Sequence, residues 1–137
     1  MNVIRRTLLL GLSLCFSLAL LVGCTTGATH TRERDGIIDL LAQSEAEFRQ
    51  GKTDRALETA SKAIGLTPDR AEAWNTRGFV YASQGLMGEA LNDFTNAVRL
   101  HPTNANYQSN LGVAYLESGK SDLALGAFNT SKYAICC

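Results

Sequence analysis

A fixed period of 34 residues constrains this chain more than any other feature. Gly51, Gly85 and Gly119 are in step, as are Ala56, Ala90 and Ala124, then Leu57, Leu91 and Leu125. Leu66 pairs with Leu100 and Pro68 with Pro102; Ala63, Ala97 and Ser131 nearly keep the pattern. A period of this size marks a stacked-repeat protein, in which one small unit recurs and neighbours bury each other's apolar faces.

The copy from Ala71 to Asn104 reads as a helical hairpin. Trp74, Arg77, Gly78 and Tyr81 fall at helical spacing on one face, and Ala90, Leu91, Phe94, Ala97 and Val98 on a second. Gly85 stands between them, where a left-handed C-cap requires a residue without a Cβ. Pro102 ends the second helix because it lacks the next amide donor. Small residues, Gly78, Ala90 and Ala97, stand where helices would cross. The spacing predicts helices over 37–50, 53–66, 71–84, 87–100, 104–118 and 121–133, with Asp54 and Ser121 placed to cap.

These residues resemble the tetratricopeptide repeat, whose pattern sets Trp, Leu-Gly, Tyr, Ala, Phe, Ala and Pro at fixed offsets. Trp74, Gly78, Tyr81, Ala90, Phe94, Ala97 and Pro102 match, with Arg77 in place of the Leu. The copy from Ala105 has Leu111, Gly112, Tyr115, Ala124 and Phe128, with Gln108 at the Trp place. The copy from Ile37 keeps Ala56, Ala63 and Pro68 but has Gln43, Ser44 and Glu47 where Leu, Gly and Tyr are usual. The resemblance implies an all-α fold, a right-handed superhelix of about three stacked hairpins over 37–70, 71–104 and 105–137.

In that family the first helix of each pair lines a concave face. Counting offsets places Ile38, Leu41, Glu45 and Phe48 there from the first copy, Glu72, Asn75, Phe79 and Ala82 from the second, and Asn106, Ser109, Val113 and Leu116 from the third. The candidate groove residues are therefore Glu72, Asn75, Phe79, Asn106, Ser109 and Val113, a mixed lining suited to an extended segment or a partner helix. Relatives that clamp a C-terminal carboxylate place basic and Asn residues in the groove. Here Leu41, Glu45, Thr76, Asn106 and Asn110 stand at those places and none is cationic, so that subtype is set aside.

The first 23 residues have a different character. Arg5 and Arg6 precede an uncharged, Leu-rich run from Thr7 to Gly23, the pattern of a signal peptide. As a helix that run rises only about 26 Å, short of a hydrocarbon core roughly 30 Å thick. Leu21-Val22-Gly23-Cys24 resembles a bacterial lipobox. The resemblance implies cleavage before Cys24, lipid on its thiol and stable anchoring by two acyl chains. Thr25, rather than Asp, after the Cys favours the outer membrane, facing the periplasm. Residues 24–36, with Thr, Gly and charges but no apolar periodicity, read as a flexible tether of at most about 40 Å.

Of 137 residues, 13 are basic and 13 acidic. Loss of residues 1–23 removes Arg5 and Arg6, leaving 11 basic residues and no stripe for nucleic acid. His30 and His101 are isolated and the Cys spacing suits no zinc site, so neither metal nor cofactor is expected, and no constellation points to an enzyme. Cys136 and Cys137 are adjacent, a poor geometry for a mutual disulfide. Cys136 also occupies the place of the expected Pro, and Leu125, Phe128 and Tyr133 would sit on an uncovered last face. Self-association, a partner that completes the stack and truncation relative to longer relatives all remain open there. The expected role is a lipid-anchored scaffold for an envelope protein. Resemblance to repeat lipoproteins implies pilus, secretion, outer-membrane or cell-wall assembly as its setting.

Overall fold

Each hairpin turns on a glycine whose backbone only glycine adopts without strain: Gly51, Gly85 and Gly119 have φ of 74°, 76° and 73°. In each, the glycine N–H donates three residues back and the next N–H five residues back. At Gly85 the acceptors are Ala82 O and Tyr81 O, both at 3.0 Å. This is a Schellman closure, which satisfies the last carbonyls of the first helix and aims the chain into the second.

The computed structural model describes residues 25–134. Among these residues all regular structure is helical: α1 (Thr25–Arg49), α2 (Thr53–Leu66), α3 (Ala71–Ser83), α4 (Met87–Leu100), α5 (Ala105–Glu117) and α6 (Ser121–Ala134). From Thr53 onward every helix end lies within one residue of its sequence expectation. α1 starts earlier than expected, and residues 25–36, read as a tether, are helical. They contain no Pro, and extending a helix already nucleated costs little per residue. The compact repeat unit itself begins at Ile37.

Capping also differs from expectation. The N-cap of α2 is Lys52, and Asp54 sits in the first turn without a capping bond. Ser121 lies inside α6. The capping side chain is Asn104, whose Oδ1 accepts from the amides of Asn106 at 3.0 Å and Tyr107 at 3.3 Å.

The core is laid down between successive hairpins. Ile37 and Leu41 of α1 meet Ala63 and Ile64 of α2 and Ala73 of α3. Ala97 of α4 meets Ala71 and Tyr107, and Ala90 and Phe94 meet Leu111 and Ala114 of α5. Alanines dominate the buried face of the second helices: Ala56, Ala60, Ala63, Ala90 and Ala97 are fully buried. Within the hairpins, a Cβ placed on Gly78 would stand 3.0 Å from the Phe94 ring, and one on Gly112 only 2.6 Å from that of Phe128. The first hairpin solves the same crossing differently. Ser44 replaces the glycine, buried, with its hydroxyl donating to Ala56 O at 2.8 Å. Ala60 there replaces the phenylalanine and leaves the room.

Repeat-to-repeat turns are tied by a side chain on the next helix. Trp74 Nε1 donates to Pro68 O at 2.8 Å. One period later Gln108 Nε2 donates to Pro102 O at 3.0 Å. The Gln at the Trp place thus keeps the indole's hydrogen bond while giving up its apolar area.

Candidate partner-binding groove

Stacking sets α1, α3 and α5 side by side, and their shared face carries two adjoining clefts. The first, about 300 Å³, lies between α1 and α3 among Glu45, Phe48, Arg49, Asn75, Thr76 and Phe79. The second, about 240 Å³, lies between α3 and α5 among Phe79, Ala82, Asn110, Val113, Ala114 and Glu117, with Phe94 of α4 as its floor. Phe79 belongs to both and forms the ridge between them. It is 53% exposed, a large apolar surface left in solvent on a helix otherwise well packed. Its ring meets that of Phe48 edge to face, with centroids 5.5 Å apart and planes at 82°. This geometry favours the positive edge of one ring against the negative face of the other.

Two amides cross the same face. Asn110 Nδ2 donates to Asn75 Oδ1 at 2.8 Å, linking α5 to α3 one repeat apart. That bond fixes the orientation of both amides and leaves Asn75 Nδ2 as a donor and Asn110 Oδ1 as an acceptor. Charge at the rim is mixed. Arg49 and Glu45 approach at 3.9 Å with side chains 73% and 61% exposed, a contact worth little in water.

Of the residues expected to line the groove, Asn75, Phe79 and Val113 come together in the clefts. Glu72 lies outside them, at the start of α3, exposed and paired with Arg70 at 3.4 Å. Asn106 is exposed in the first turn of α5, its backbone taken up by the Asn104 cap. Ser109 is half-buried and lines neither cleft. Leu41, counted into the lining, is instead in the core with Ile37 and Ala73. Burial, and less strongly the Glu72 carboxylate, hold the Tyr107 phenol above its usual pKa, so it stays neutral beside this end of the face. Arg49, Ser83 and Glu117 were not foreseen as lining. They stand at the C-terminal ends of the first helices, one residue past the last offset counted, at Phe48, Ala82 and Leu116. Cys24, the lipid site expected from the sequence, lies outside the described residues, as do Cys136 and Cys137. No described helix is long and apolar enough to cross a membrane.

Comparison with known proteins agrees with this architecture. A sequence profile described as TPR repeat matches residues 45–85, and one described as tetratricopeptide repeat matches residues 71–104. No curated protein matches the chain. Among solved structures, MamA is 22% identical with a TM-score of 0.68 over 72% of this chain. The match spans 57% of MamA. The second TPR of Spaghetti (RPAP3), bound to an HSP90 peptide, is 23% identical with a TM-score of 0.70, covering 76% of this chain and 98% of that one. The O-GlcNAc transferase of Thermobaculum terrenum is 24% identical with a TM-score of 0.70, covering 75% of this chain but only 20% of the transferase. At these identities the likeness is one of fold. The chain carries tetratricopeptide repeats between residues 45 and 104, within an all-α tetratricopeptide-type solenoid.

Proposed function

We propose that this chain is a non-enzymatic scaffold of a bacterial envelope, anchored by lipid on Cys24 and recruiting a protein partner through the face of α1, α3 and α5. The observation that carries the recruiting role is Phe79, half in solvent on a ridge between two clefts with oriented amides beside it. Exposed aromatics ringed by polar groups are what binding sites present. The clefts offer amides, aliphatics and aromatics rather than a nucleophile held against a base, which favours binding over catalysis. The anchor is supported by the Leu21-Val22-Gly23-Cys24 sequence after its apolar run, and outer-membrane placement by Thr25. Assembly of pili, secretion machinery, outer membrane or cell wall is the setting such a lipoprotein would serve.

The two halves of this reading are tested separately. Radiolabelled palmitate should mark the wild-type chain and not Cys24→Ser; a wild-type chain that stays unlabelled and free of membranes removes the anchor. A photo-crosslinking residue at Phe79 should trap a defined partner that Asn75→Ala weakens. Recovery of the same partner with the crosslinker moved to the opposite, convex side would remove the groove.

A second reading, docking through the last helix, is favoured by Leu123 and Leu125, which are 53% and 62% exposed. Leu125→Glu tests it cleanly. Phe128→Glu does not, because Phe128 packs against Gly112 inside the hairpin. Loss of assembly in Leu125→Glu with Phe79 intact would transfer the docking role to α6.

A further inference from the structure

We propose that the groove takes an extended, polyproline-II-like segment of its partner with two apolar side chains three residues apart, flanked by an acidic residue at the Arg49 end and a basic residue at the Glu117 end. This rests on the recruiting role of the groove and specifies what it recruits.

Spacing is the first argument. The two clefts lie on either side of Phe79, one between α1 and α3 and one between α3 and α5. Packed helices sit about 8–10 Å apart, so the clefts are offset by about that distance. In a polyproline II segment, residues i and i+3 point the same way about 9.3 Å apart. In a β-strand, i and i+3 point to opposite faces, and the same-face neighbours i and i+2 are only about 6.7 Å apart. The repeat spacing therefore selects the three-residue period.

Hydrogen bonding is the second argument. A polyproline II backbone makes no internal hydrogen bonds and keeps its N–H and C=O groups available. Asn75 Nδ2, lining the first cleft, and Asn110 Oδ1, lining the second, are oriented by the bond between the two residues and present one donor and one acceptor to such a backbone. A helical partner has already satisfied its own backbone and leaves both amides unanswered.

Charge is the third argument. Arg49 borders the first cleft; its Nε donates to the Glu45 carbonyl at 3.3 Å, and its only ion pair among the described residues is the long, exposed 3.9 Å contact to the Glu45 carboxylate, which leaves the guanidinium open to a partner's acid. Glu117 borders the second cleft and forms no ion pair among the described residues. Opposite charges at the two ends fix the direction in which a segment lies. They also discriminate against a segment of reversed polarity.

The test is selection of random decapeptides, displayed within a carrier loop so that neither peptide terminus is free, on the immobilised full-length chain in mild detergent. The expected survivors have apolar residues at i and i+3, with an acidic residue beyond one and a basic residue beyond the other. Phe79→Ala should weaken the best survivor at least tenfold. Glu117→Lys should exchange the preferred basic residue for an acidic one. Both positions are solvent-exposed, and circular dichroism is to be used to check that the variants fold. Survivors that need Phe79 but carry apolar residues four or seven apart, or ignore Glu117→Lys, overturn the motif and leave the groove standing. Survivors bound equally by Phe79→Ala, or no survivors at all, overturn the motif and the recruiting groove together.

Discussion

Arg77 of α3 grips Asp93 of α4 with two parallel bonds, Nε to Oδ2 at 2.7 Å and Nη2 to Oδ1 at 2.9 Å. Asp93 is 1% exposed, so the Arg77 guanidinium takes the place that water would have around its carboxylate. The guanidinium also donates from Nη1 to Ser61 Oγ of α2 at 3.2 Å. It lies 5.2 Å from the Trp74 ring centroid and 5.7 Å from that of Tyr81. The hydrogen bonds that Arg77 donates to Asp93, more than the burial opposing them, push the Arg77 pKa up. One period on, the same two places hold Leu111 and Ala127; one period back, Gln43 and Thr59. A single crossing is thus ionic, apolar or polar according to the repeat.

That equivalence gives the first prediction. Arg77→Leu leaves a buried, unpaired carboxylate and should cost about 3–5 kcal/mol. Asp93→Ala strands a cation that keeps 19% of its side chain in solvent, and should cost less, about 1–3 kcal/mol. The double variant reproduces the third repeat and should return to within about 1 kcal/mol of wild type. Urea unfolding followed by helical circular dichroism measures all three. A double variant as unstable as Arg77→Leu alone would show that the pair stabilises the fold beyond its packing.

The helix crossings within hairpins give the second. Gly112→Ala drives a Cβ to 2.6 Å from the Phe128 ring and should cost about 1–3 kcal/mol through overpacking. Adding Phe128→Leu to Gly112→Ala relieves the contact and should recover part of the loss, whereas Phe128→Leu alone opens a void. Thermal denaturation of the two single variants and the pair reads the coupling. Additive losses would mean that the ring does not meet the new methyl.

The repeat period, the three glycine turns and five of six helices were legible because they are set by local chemistry: φ of a single residue, a missing Pro amide, spacing of apolar positions. The lining of the groove was legible only in part. Offset counting found Asn75, Phe79 and Val113 because they sit mid-helix, where one turn's error does not change the face. It missed Arg49 and Glu117, which reach the clefts from helix ends. It misplaced Leu41, whose side chain is buried with Ile37, Ala63, Ile64 and Ala73 where the second and third copies hold the polar Asn75 and Ser109. The Arg77–Asp93 pair was hidden for a different reason. Arg77 was visible as a departure from Leu, but its partner is 16 residues away on another helix, and nothing local marks Asp93 as buried.

Acid sensitivity of the first hairpin is the third prediction. Glu47 accepts from Gln43 Nε2 at 3.0 Å and from Thr59 Oγ1 at 2.8 Å, bridging α1 and α2. Those two hydrogen bonds, Gln43 first, hold its carboxyl below the ordinary value of 4.5. A carboxyl lowered in the folded state binds fewer protons folded than unfolded. Its contribution is therefore present above the unfolded pKa and lost as pH falls through the folded one. Glu47→Gln should flatten the loss of melting temperature between about pH 5 and about pH 3, relative to wild type. Parallel curves for the two proteins across that window would show that the bridge is not made in solution.

The last prediction separates two glycines of one hairpin. Gly85 and Gly88 both have open space where a Cβ would go, so neither substitution meets a steric neighbour. They differ only in backbone. Gly85 sits at φ 76°, where an L-residue costs roughly 1–2 kcal/mol. Gly88 is the second residue of α4 in ordinary helical conformation, where alanine narrows the unfolded ensemble and should add about 0.5 kcal/mol. Gly85→Ala should lower the urea midpoint and Gly88→Ala should raise it, with the denaturant slope unchanged in both. A midpoint that does not fall in Gly85→Ala would mean that the Schellman turn there can be rebuilt without a left-handed residue. The Tyr81 and Ala82 carbonyls would then have to find other donors.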